Sequence, residues 1–238
     1  MKKHLVVCAI AALFGSAQAA TLFSNGPVVD AQGLSILASG IDSTLGAGSN
    51  ASAILADNFS VGGAGWNVES LDFFGYQTGA VGFTFTGVTW SIRSGTDVNT
   101  STILASGTSA VTNGGQVGFR VTSTTLTNTQ RPIFRISADI PDIALAPGSY
   151  FVTWALAGSV ESGPFVPPVL GSHGTGNALQ SLPPAAFVAL ADGLSLSSFD
   201  VPFTINGTAA PIPEPGTLAL WLAGGAMAVG VARRRRAA

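Results

Sequence analysis

Few side chains in this sequence suit catalysis, and they do not fall in a catalytic order. His173 stands beside Ser172 in the glycine-rich segment Gly171-Ser172-His173-Gly174. A serine, a histidine and an acid can make a hydrolytic triad, but a triad is a spatial arrangement that adjacency in sequence does not supply. No Gly-x-Ser-x-Gly elbow accompanies the pair, so a solvated loop histidine is the simpler reading. Two carboxylate pairs, Asp139 with Asp142 and Asp57 with Asp72, would suit glycosidase chemistry if they met about 5–10 Å apart across a sugar site. Scattered acids are more often turn formers and surface groups. The same acids could offer oxygen ligands to one calcium ion, although no Asp-x-Asp-x-Asp-Gly loop is present to support it. No other metal or cofactor is expected. Gly46-Ala47-Gly48-Ser49-Asn50-Ala51 imitates a dinucleotide loop without the strand–helix setting that gives such a loop meaning.

The elements that must position these residues are strands. Val117, Phe119 and Val121 alternate with Gly118, Arg120 and Thr122, the period of a half-buried strand. Phe134, Ile136 and Ala138 do the same, as do Tyr150, Val152, Trp154 and Leu156. Phe199, Val201, Phe203 and Ile205 form one face of a last strand, where Pro202 predicts an edge position. Val81, Phe83 and Phe85 hold one parity and Val88, Trp90 and Ile92 the other, which predicts a bulge or break at Gly87. Gly62-Gly63, Gly114-Gly115 and Pro147-Gly148 predict turns between strands. With no long helical period, the expected fold is all-β, an antiparallel β-sandwich or jelly roll. Trp90 and Trp154 share the phase of apolar neighbours and read as core. Trp66, in Gly65-Trp66-Asn67, is the better candidate for a glycan contact, with packing as the competing reading.

Composition narrows the partners. Of ten basic residues, Lys2 and Lys3 lie at one terminus and Arg233, Arg234, Arg235 and Arg236 at the other. Only Arg93, Arg120, Arg131 and Arg135 lie between, against acids spread from Asp30 to Glu214. That middle has no basic face for nucleic acid. The only cysteine is Cys8, so a chain that lost its first segment would have no disulfide and would depend on its apolar core.

That first segment, 1–19, reads as a signal peptide. Lys2 and Lys3 precede an apolar stretch from Leu5 to Phe14, and Ala17-Gln18-Ala19 offers signal peptidase a small-x-small cleavage site. At the other end, Pro211-Ile212-Pro213-Glu214-Pro215 is followed by an uncharged segment, 216–232, and then by Arg233 to Arg236 within the tail 233–238. Alternating prolines hold the peptide extended. The apolar segment is near the lower length for one transmembrane helix, and the arginines would stop transfer on the cytoplasmic side. The segment 208–215 then becomes an extended linker outside the membrane, after an ectodomain spanning 20–207.

The tripartite tail of Pro213-Glu214-Pro215, apolar segment and arginine cluster resembles the PEP-CTERM sorting signal, also called the "ice-binding protein C-terminal" domain. The resemblance implies that a membrane-embedded exosortase recognises Pro213, Glu214 and Pro215 and removes the tail, a logic shared with other tails that are read and cut. It implies a Gram-negative host, an inner-membrane precursor, and a cell-surface or matrix destination alongside exopolysaccharide and biofilm. The central domain resembles uncharacterised β-sandwich ectodomains that carry such tails, through Ala56-Asp57-Asn58-Phe59, Leu71-Asp72-Phe73-Phe74-Gly75-Tyr76-Gln77, Thr127-Asn128-Thr129-Gln130-Arg131-Pro132 and Gly176-Asn177-Ala178-Leu179-Gln180-Ser181. Ice binding itself would need a regular threonine array, and Thr124, Thr125 and Thr127 do not make one. The expected function is a non-enzymatic structural or adhesive surface protein. The alternative is an exported polysaccharide-binding module or glycan hydrolase.

Overall fold

The computed structural model describes residues 19–211. The expected signal segment up to residue 18, the Pro213–Pro215 motif, the apolar segment 216–232 and the four terminal arginines lie outside the described residues. No helix among the described residues is long and apolar enough to cross a membrane.

The first half of the described chain forms β1 (Ala20–Ser24), β2 (Leu34–Leu37), β3 (Ala47–Gly48), β4 (Ile54–Val61), β5 (Trp66–Gly75), β6 (Phe85–Ser94) and β7 (Thr102–Ser109). The second half forms β8 (Val111–Thr122), β9 (Pro132–Leu145), β10 (Gly148–Gly158), β11 (Phe165–Val166), β12 (Leu179–Ser181), β13 (Val188–Ala189) and β14 (Phe203–Ala209). Two six-stranded sheets result, ordered β1-β14-β5-β9-β8-β2 and β13-β12-β4-β10-β6-β7, with β11 and β3 as a small third pair. Every strand pair is antiparallel except β2 with β8, which run parallel at a sheet edge.

Alternation explains the core. Leu71 and Phe73 of β5, Ile136 and Ala138 of β9, and Phe203 and Ile205 of β14 point inward from one sheet. Leu55 and Phe59 of β4, Trp90 and Ile92 of β6, and Val152 and Trp154 of β10 meet them from the other. Trp154 bridges the layers, its ring 5.2 Å from Phe73 and 5.8 Å from Phe203 between centroids. Aromatic pairs at such spacings add to the area they bury.

The slip at Gly87 is a bulge. Ala157 faces Gly87 while Gly158 faces Phe85, so Thr86 is the extra residue, and Phe85 and Val88 both reach the core. Three expectations are corrected. β14 is not an edge strand, because β1 covers it; Pro202 is tolerated because the ladder begins one residue later, at Phe203. Gly114-Gly115 is not a turn between strands but an irregularity inside β8, where the pairing with β9 shifts on either side of Gln116. Arg120 alternates with Val121 yet is buried with it, at 3% exposure, because the connection after β2 folds over that face.

The ladders give the sandwich two ends. At one, Trp66 faces both Ala209 and Leu145. At the other, Phe73 faces Phe203, and Gly75 faces Phe134. The ten residues of β5 separate these ends by roughly 30 Å at strand rise.

Candidate functional site

A cleft lies at the Gly75 end. It is walled by the end of β2, the connection from β2 to β3, Arg120 of β8, and the loops around residues 168–173 and 192–199. β8 reaches this end because Phe119 pairs with Pro132, beyond the Phe134–Gly75 contact. The open space is about 100 Å³. Leu37, Val169 and Phe199 line it with apolar surface, and Asp42, Thr44, Arg120, His173 and Asp192 supply the polar groups.

Arg120 is held by the connection that covers it. Its Nε donates to the Leu45 carbonyl at 2.6 Å, Nη2 to the Thr44 carbonyl at 2.9 Å, and Nη1 to Ser35 Oγ at 3.2 Å. Burial pushes the guanidinium down to about 10, with Tyr76, Asp42 and Asp192 acting in the opposite sense, so it stays charged at neutral pH. No carboxylate forms an ion pair with it among the described residues.

Asp192 fastens two loops together. Its carboxylate accepts from the amides of Ser43 at 2.9 Å, Thr44 at 2.7 Å, Leu194 at 2.8 Å and Ser195 at 2.9 Å. Burial pushes this carboxyl up, but the amides of Ser195, Leu194 and Thr44 outweigh burial and hold it well below the usual carboxylate range.

His173 is an exposed loop histidine, as expected, and it has two polar neighbours. Its Nε2 lies 2.7 Å from Asp42 Oδ1 and 3.3 Å from Ser195 Oγ, while Ser195 Oγ donates to Asp42 Oδ1 at 3.0 Å. A hydrolytic triad needs the acid on one ring nitrogen and the nucleophile on the other. Here a single nitrogen meets both partners, so the arrangement is not that of a triad. Ser172 is elsewhere in the hydrogen-bond pattern, donating to the Val169 carbonyl at 2.8 Å and accepting from the Asp200 amide at 3.0 Å.

The carboxylate pairs do not assemble across a sugar site. Asp57 shares the inward face of β4 with Leu55 and Phe59, whereas Asp72 alternates with inward-facing Leu71 and Phe73 and bonds Ser137 and Asn206 on the outer face. Asp139 and Asp142 are both exposed on β9. Among the described residues, no three His, Cys, Asp or Glu converge in a metal-holding group. Gly46–Ala51 builds β3 and the turn after it. Trp66 is half-buried at the opposite end from the cleft, its ring parallel to that of Phe59 at 6.2 Å. Of the cleft's polar groups, only His173 is picked out by sequence reasoning. Arg120 carries a weak signal, as one of four arginines between the terminal clusters.

The chain leaves the sandwich at the Trp66 end. Ala20 pairs with Gly207, and the amide of Ala210 donates to the Gly65 carbonyl at 2.8 Å. Residues 211–236 match the family model of the PEP-CTERM protein-sorting motif. The chain carries a PEP-CTERM sorting motif. No curated protein matches it. The PEP-CTERM match marks an exported protein, sorted to the cell surface with an exosortase as its processing partner. It begins two residues after β14 ends, on the end of the sandwich away from the cleft.

Proposed function

We propose that this PEP-CTERM chain is a non-enzymatic surface or matrix protein, structural or adhesive in an exopolysaccharide setting. Signal peptidase cuts after Ala19, recognising Ala17 and Ala19, and leaves Ala20 to open β1. The segment 216–232 holds the precursor in the inner membrane, and Arg233, Arg234, Arg235 and Arg236 keep its terminus cytoplasmic. Exosortase reads Pro213, Glu214 and Pro215 and releases the β-sandwich to the exterior. The observation that carries this reading is the sorting motif at residues 211–236, directly after the last strand. In the cleft, His173 meets Asp42 and Ser195 through one ring nitrogen, and the Asp192 carboxylate is occupied by four backbone amides, an arrangement that favours display over hydrolysis.

The test is intact mass of the protein from its native host, with fractionation between inner membrane, matrix and medium. Loss of both terminal segments, with a new C-terminus near Pro213–Pro215 and the protein outside the inner membrane, is the expected result. Retention of Arg233–Arg236 in the inner membrane would reduce the tail to an ordinary anchor. Glu214→Ala is expected to trap the precursor.

A further inference from the structure

We propose that the cleft formed by Asp42, Arg120, His173 and Asp192 binds an uncharged polyhydroxylated ligand, a neutral saccharide unit. The geometry leaves hydrogen-bonding capacity unspent there. A guanidinium has five N–H donors, and Arg120 uses three on Leu45, Thr44 and Ser35, leaving two without a protein partner on a side chain 3% exposed that lines the cleft. Buried donors of this kind are costly unless something accepts from them. Asp42 directs Oδ1 to His173 and Ser195, while its Oδ2 has no partner among the described residues. The Nδ1 of His173 is equally free among them. Spare donors and acceptors therefore line the same cleft, the combination that the hydroxyls of a sugar satisfy.

Charge selects among polar ligands. Asp42 and Asp192 set two negative charges against the single positive charge of Arg120, which opposes a phosphate or uronate. A metal cation lacks its three-ligand group. A neutral polyol meets neither objection, and Leu37, Val169 and Phe199 offer apolar surface for the C–H face of a ring. The site is also pre-organised: Asp192 fixes the loops bearing Thr44 and Ser195, so little ordering cost falls on binding. About 100 Å³ of open space suits one ring of a chain whose other units remain in solvent. That the saccharide belongs to the surrounding matrix rests on the surface-display reading; binding itself does not.

The test uses the full-length protein in detergent, titrated with neutral glucose, galactose and mannose tetrasaccharides and with a uronic-acid tetrasaccharide, by calorimetry and saturation-transfer NMR. At least one neutral series is expected to bind in the micromolar to millimolar range, and the uronic-acid series is not. Asp42→Asn and His173→Gln should each weaken binding about tenfold, as loss of one strong hydrogen bond does. Asp142→Asn, remote on β9, should leave it unchanged. Melting curves for every variant separate lost binding from lost folding. Tighter binding of the uronic-acid series, no binding of any neutral series, or binding indifferent to both cleft substitutions would overturn the assignment. Because binding is read on purified protein, an uncleaved tail would refute the sorting reading without touching this one.

Discussion

Asp57, inside the sandwich on β4, accepts a 2.7 Å hydrogen bond from Nδ2 of Asn25, a residue just beyond β1 in the other sheet. The same carboxylate accepts from the amides of Val201 at 3.1 Å and Asn58 at 2.7 Å. It thus ties β4 to the chain entering β14 and to the chain leaving β1.

Burial pushes the Asp57 carboxyl up to about 7, Asp200 adds to the rise, and the amides of Val201 and Asn58 oppose it. The folded protein therefore keeps this proton at pH values where the unfolded chain, ionising near 4, has released it. Stability from this group is fully present below about pH 4, falls as pH rises toward 7, and is level above that. The change is on the order of 4 kcal/mol at most. Chemical denaturation between pH 4.5 and 8 should show the decline, and Asp57→Asn should flatten it.

Asp192 responds in the opposite sense. Its depressed folded-state pKa gives stability that is present above pH 4 and lost as pH falls through the folded value. Asp192→Ala should cost about 2–4 kcal/mol by orphaning the amides of Ser43, Thr44, Leu194 and Ser195. Hydrogen exchange should rise in residues 42–45 and 192–197, with β5 and β9 unchanged.

Arg120→Met would leave the carbonyls of Thr44 and Leu45 without their donor. A loss of about 2–3 kcal/mol is expected, read as a lower denaturation midpoint. Arg120→Lys should recover only part of it, because an ammonium cannot reproduce the planar fork.

Leu196 has a φ of 56° while 78% exposed. A leucine in the left-handed region costs roughly 1–2 kcal/mol. Leu196→Gly should therefore stabilise the protein by up to about 1 kcal/mol, the gain being reduced by glycine's unfolded-state entropy. A higher melting temperature would bear this out; a lower one would mean that the exposed leucine packs in a way the strain argument ignores.

Period-two patterning made the sheets legible, because inward residues such as Leu71 and Phe73, or Val152 and Trp154, must alternate to reach a shared core. The slip at Gly87 was legible for the same reason. Patterning misled where a loop covered an outer face: Arg120 looks like a solvent-facing partner of Val121, and only the fold of residues 38–46 buries it. Gly114-Gly115 reads as a turn because local composition cannot distinguish a bulge in a long strand from its end. The sorting tail was legible because its parts act in linear order. The cleft was not, since Asp42, Arg120, His173 and Asp192 come from four separate segments and meet only through topology.

Among the described residues, the hydrogen bond from the Ala210 amide to the Gly65 carbonyl is the last that fastens the chain to the sandwich. From there to Pro213 is three residues, a reach of about 10 Å even fully extended. With the proposed membrane segment beginning at residue 216, six residues past Ala210, the folded domain would stay within about 20 Å of the bilayer until the tail is cut. The turns beside the mooring, Gly62-Gly63-Ala64-Gly65 and Ala146-Pro147, carry no charged side chain. On the proposed reading, an exosortase cutting at Pro213–Pro215 would work between this uncharged end-face and the bilayer, with the cleft at the opposite end turned outward.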